Sequence, residues 1–96
     1  MTQDEDDHIQ ENIGAVHTYL GEEFKGLKIT DESYAPIFHI FTVFDEKEYK
    51  VFKLTVAIPR LADKDNSPED TLRRLQAEKI ADKMRELEKG GFSWGR

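Results

Sequence analysis

The chain contains no cysteine. That excludes disulfides, thiolate metal sites and thiol catalysis, and it suits a reducing compartment. Long apolar runs are missing as well. The longest nearly apolar stretch, Ala35 to Phe44, includes His39 and Thr42 and is far too short to cross a bilayer. Basic charge is in short supply: 14 lysines and arginines face 20 aspartates and glutamates, for a formal net charge of −6. Such a balance opposes nonspecific phosphate binding, which depends on cations releasing counterions, and it keeps a small protein soluble. The acidic start, Met1 to Asp7, has neither the basic residues nor the apolar run of a signal peptide. A cytoplasmic protein with no membrane segment is expected.

What is present fits one small domain spanning residues 1–96. Its centre is the stretch from Ile37 to Ile58. Two runs rich in β-branched and aromatic residues flank Asp45-Glu46-Lys47-Glu48, the pattern of a β-hairpin. Ahead of it, Ile9, Ile13, Val16, Leu20 and Phe24 recur at helical spacing and fall within an arc of about 80°. Gly26 is a natural stop. Behind it, Ser67-Pro68-Glu69-Asp70 reads as a helix start, with a serine cap, proline at the first helical position and carboxylates in the positive first turn. Glu69 and Asp70 are spaced to pair with Arg73 and Arg74. Leu72, Leu75, Ala77, Ile80, Ala81, Met84 and Leu87 then form a broad apolar face.

The expected fold is α+β. An antiparallel sheet has two long strands at 37–44 and 48–58 and a short third strand at 27–30. A helix at 7–25 and another at 68–89 flank it. Residues 1–6 are expected to fray, and the glycine-rich aromatic tail at 90–96 to lack regular structure.

Register decides what the hairpin shows to the outside. A two-residue turn at Glu46-Lys47, or a four-residue loop at 45–48, pairs Phe44 with Tyr49. It puts Ile37, His39, Phe41 and Val43 on the face of Phe52, Leu54, Val56 and Ile58. A three- or five-residue loop exchanges the two sets on the first strand. In either case the second face carries at least four large apolar side chains, so neither register yields a polar outer face.

Signs of chemistry are sparse. His8, His17 and His39 match no metal-ligand spacing. Asp63 to Ser67 begins like an EF-hand loop, but Pro68 stands where glycine is needed and Arg74 where a glutamate is needed. No serine lies in a nucleophile elbow, and no phosphate-binding glycine motif occurs. The helix–strands–helix order is similar to that of a double-stranded-RNA-binding domain. Here, however, the last helix opens on Ser67-Pro68-Glu69-Asp70, which repels phosphate. An enzyme, a cofactor, a metal and a nucleic-acid ligand are therefore not expected.

The expected function is a non-enzymatic protein-interaction domain, self-associating or binding a protein partner through its second sheet face. Phe38, Ile40, Phe44, Tyr49 and Val51 are its contact residues. The alternative is a regulatory domain that turns its acidic surface, or its Phe92-Trp94-Arg96 tail, toward a basic or nucleic-acid-associated partner. A terminal aromatic more often folds back onto its own domain, which is the expectation for this tail.

Overall fold

The computed structural model describes residues 3–87 and 91–95. Helix α1 (Gln3–Glu23) leads into strands β1 (Lys28–Tyr34), β2 (Phe38–Asp45) and β3 (Lys50–Ala57). Short helices α2 (Ile58–Ala62), α3 (Pro68–Ala77) and α4 (Ile80–Glu86) follow, and the last element is strand β4 (Phe92–Trp94). The sheet is four-stranded with order β1-β2-β3-β4; β1, β2 and β3 are antiparallel neighbours, and β4 lies parallel to β3. The α+β class is as expected, with four strands in place of two long ones and a short third.

Helix α1 starts earlier than residue 7, so the described part of 1–6 is helical. Three carboxylates, Asp4, Glu5 and Asp6, occupy the positive first turn. Gln3 also donates to Asp7 at 2.9 Å, one turn on. The predicted seam is the buried face: Ile9, Ile13, Val16, Leu20 and Phe24 all lie in one cluster with Phe41, Val43, Phe52, Leu54 and Val56. The Phe24 and Phe52 rings meet at 5.3 Å. Gly26, at φ 81°, ends the helix in the left-handed region that glycine favours.

The hairpin loop is four residues long, as one of the expected alternatives had it, but it spans Glu46 to Tyr49. Asp45 pairs with Lys50, Phe44 with Val51 and Phe41 with Leu54. The expected Phe44–Tyr49 pairing is thus displaced by two residues. The Asp45 carboxylate accepts from the backbone of Lys47 (3.0 Å) and Glu48 (3.2 Å), which moves the turn one step along the chain. A two-residue shift preserves parity, so His39, Phe41 and Val43 do share a face with Phe52, Leu54 and Val56.

Three further expectations are corrected. The short strand at 27–30 runs to Tyr34, because β2 supplies partners for Asp31 to Tyr34 as well. The second long strand starts at Lys50 and ends at Ala57, and Ile58 opens α2. The helix at 68–89 is two helices. Seven apolar positions spread over an arc of about 240° cannot all face one core from a straight helix. Lys79 adopts φ 53°, the left-handed geometry in which α3 stops. The chain restarts as α4 and turns Ile80, Ala81 and Met84 inward. Helix α4 has no side-chain cap of its own; the Tyr19 hydroxyl on α1 accepts from the Ala81 N–H at 2.9 Å instead. Residues 88–90 of the expected helix and tail lie outside the described residues.

The start of α3 is as read. Ser67 Oγ accepts from the Asp70 N–H at 3.1 Å, and Pro68 holds the first turn. Arg73 pairs with Asp70, three residues back, instead of with Glu69.

The helices are joined to one another by a buried polar knot. Asn12, fully enclosed on α1, donates to the carbonyls of Leu61 (2.9 Å) and Asn66 (2.8 Å) and accepts from the Thr71 hydroxyl (2.6 Å). A single amide therefore fixes α1 to α2, to the loop before α3, and to α3 itself.

Candidate interaction surface

All the helices lie on one side of the sheet. Each contributes buried apolar residues to the cluster that includes Phe41, Val43, Leu54 and Val56, the inward side chains of β2 and β3. The alternating side chains of those strands point the other way, where no helix covers them. Coverage of the sheet by the described helices is therefore one-sided.

Phe38, Ile40, Phe44 and Val51 share this open face and are half-buried. At one end, Phe44 and Val51 are cross-strand partners, with Lys28 on the far side of Phe44. At the other, the Tyr34 and Phe38 rings approach to 5.3 Å and Ile37 is 67% exposed. Between them run Thr30, Thr42 and Lys53 in one row and Glu32, Ile40 and Thr55 in the next. The apolar side chains partly shield one another, and threonines separate the two aromatic ends. A hollow of about 350 Å³ lies over the middle, lined by Glu32, Ile40, Thr42 and Lys53 among others, and one of about 140 Å³ lies between Phe38 and Ser93. Tyr49 does not join this face. It sits in the hairpin loop at φ 54° and is 84% exposed.

The tail has regular structure after all. Phe92, Ser93 and Trp94 pair with Leu54, Thr55 and Val56. Trp94 is 4% exposed, donates from Nε1 to Glu78 at 3.2 Å, and lies under the Arg60 guanidinium at 3.8 Å. The flanking glycines make the approach possible. A Cβ on Gly91 would come within 2.9 Å of the Lys53 Cβ, and one on Gly95 within 2.5 Å of the Arg60 Cδ. Both have positive φ. Arg96 lies outside the described residues.

Two of the three histidines converge, which their spacing did not reveal. His17 on α1 and His39 on β2 each place Nε2 2.6 Å from a different oxygen of Asp31 on β1. A carboxylate only accepts, so both rings carry a proton on Nε2. Partial burial pushes the Asp31 carboxyl up, but the hydrogen bonds from His17 and His39 outweigh it and hold the group below its ordinary range. His39 packs against Phe41 with ring centroids 4.9 Å apart, and His17 meets the same ring edge-on at 5.5 Å. With both oxygens of Asp31 engaged, the trio ties α1 across the β1–β2 pair. His8 donates to the Asp63 carbonyl at 2.8 Å, well away from the other two. Among the described residues, no group of three or more histidine or carboxylate side chains is placed to hold a metal ion. None of their helices is long and apolar enough to cross a membrane.

Compared with known proteins, the chain matches no family model, no curated protein and no solved structure.

Proposed function

We propose that the chain is a non-enzymatic protein-interaction domain, acting in the cytoplasm, whose open sheet face packs against another protein surface. The observation that carries this reading is the one-sided placement of the helices. Phe38, Ile40, Phe44 and Val51 lie half-buried on a face that none of the described helices covers. Apolar side chains gathered on a sheet face without a helix over it, here in two groups with threonines between them, favour a contact site over an idle surface. The threonines between the aromatic ends supply a polar complement, as in interfaces that also exist free in solution. A second copy of the chain is the first occupant to test, because an isologous contact needs no other partner.

Light scattering over a wide concentration range, with Phe44→Lys as the variant, tests it. Self-association that the lysine weakens supports the reading. A strict monomer at high concentration, with the variant equally soluble and stable and no captured protein lost, sinks it. Use of the tail as a docking peptide has less support, since Trp94 is spent on the chain's own core. The acidic surface remains available to a basic partner, and strongly salt-dependent binding would mark that second mode.

A further inference from the structure

Strand β1 is one edge of the sheet, with five consecutive exposed residues from Thr30 to Tyr34. Long uncovered edges are normally blocked by charge, and an inward-pointing carboxylate is one of the usual blocks. Here the inward carboxylate, Asp31, is already held by His17 and His39 of its own chain and does not project from the edge. The remaining charges, Lys28 and Glu32, have opposite signs and lie symmetrically about Thr30, all three on the open face.

We propose that β1 pairs with β1 of a second copy, antiparallel about a two-fold axis through Thr30, to give a continuous eight-stranded sheet. An axis normal to the sheet keeps each side chain on its own face, so only registers that place an odd- or even-numbered residue opposite one of the same parity are allowed. Centring on Thr30 sets Lys28 opposite Glu32 of the second copy, twice by symmetry. Centring on Asp31 sets two aspartates face to face, and centring on Glu32 does the same with two glutamates. Centring on Ile29 leaves Lys28 opposite threonine and Glu32 opposite Gly26. The Thr30 register alone matches opposite charges and opposes no like ones. Main-chain hydrogen bonding along the edge supplies the attraction, and the charges choose the register.

The inference goes beyond the reading of the open face and does not rest on it. Its consequence is that both helix layers lie on one side of the joined sheet and both open faces lie side by side on the other. A partner with two matching surfaces would then gain in avidity.

The native chain lacks cysteine, so Thr30→Cys introduces a single thiol. On the axis, the two Cα atoms would lie about 4.5–5.5 Å apart, within disulfide reach. Mild oxidation is expected to cross-link Thr30→Cys and to leave Thr42→Cys, one strand inward, unlinked. Lys28→Glu should weaken the dimer at least tenfold at low salt, and Lys28→Glu combined with Glu32→Lys should restore it, which a mere folding defect would not do. Phe44→Lys should leave this dimer intact. A monomer at every concentration, or a dimer indifferent to Lys28→Glu, overturns the proposal. Cross-linking through Thr42→Cys but not Thr30→Cys, with loss of the dimer in Phe44→Lys, overturns it too, while supporting contact through the open face.

Discussion

Asn12→Ala should be among the most damaging single substitutions in this chain, although no surface changes. The side chain is fully enclosed and makes three hydrogen bonds, to two backbone carbonyls and one hydroxyl, at 2.6–2.9 Å. Each bond contributes about 1 kcal/mol net, and each buried partner left without one costs about 1–3 kcal/mol. Some stranded groups will recover by small shifts or by admitting water, so a loss of roughly 3–5 kcal/mol is expected. Against a typical stability of about 5–15 kcal/mol, that is a large fraction. Urea unfolding followed by the fluorescence of Trp94 and by far-ultraviolet circular dichroism measures it. The slope against denaturant should stay constant while the midpoint falls. Thr71→Val removes only the hydroxyl donor and should cost about 1–2 kcal/mol. Combined with Asn12→Ala it should cost less than the sum, because the two share a bond. Asn12→Asp keeps the acceptor for Thr71 but turns an oxygen toward two carbonyls, and should be no better tolerated than alanine. A loss below about 1 kcal/mol for Asn12→Ala, or an aspartate variant as stable as the parent, would refute the role of this amide in joining α1 to α2 and α3.

Gly14 and Gly21 lie inside α1 with nothing within 4 Å of a Cβ built on either. Each replacement by alanine should therefore stabilise the chain by about 0.5–1 kcal/mol, read as a higher denaturant midpoint. Asp31 ionises more readily than an ordinary carboxyl (3.8), so the stability it contributes is complete above that value and is lost as pH falls through the lower folded value. Asp31→Asn should be less stable than the parent at about pH 7, with the gap closing on acidification below the ordinary value; a gap that is flat with pH would be contrary to this. Gly91→Ala combines a left-handed φ with a clash on Lys53, and should detach β4. The emission of Trp94 should then shift to the red under native conditions, and an unshifted spectrum would count against the packing of that strand.

Periodic features of this fold could be read directly from the residues. The seam of α1, the two hairpin strands and the Ser67-Pro68 helix start each repeat a signal over several positions or combine several signals at one. The remaining features have little local signature. Asp31 to Tyr34 are polar because β1 is an exposed edge, so no burial pattern marks them as strand. Gly91 and Gly95 resembled breakers, yet in β4 they allow close backbone approach. The break at Lys79 was foreshadowed by an apolar arc too wide for one straight helix. Asn12 stands beside Ile13 at the margin of the seam, but its partners are 49 to 59 residues away. The Asp31 trio is likewise a product of tertiary folding. On the candidate surface, Phe38, Ile40, Phe44 and Val51 belong together because the alternation of two strands dictates it. Tyr49 falls away because the loop slides by one residue, a detail set by the Asp45 side chain.

Strand β4 has a consequence for how the chain is made. It leaves the ribosome after β3 and the three helices between them, and it pairs parallel to β3 only once α2, α3 and α4 have carried the backbone across. Until then the edge of β3 at Leu54-Thr55-Val56 offers a neighbouring nascent chain a strand to pair with. Three residues between two glycines thus act as a closure for the opposite edge of the sheet. A tag that crowds Trp94 would prolong the interval in which that edge is open, and aggregation would rise with expression rate before any loss of native stability could be measured.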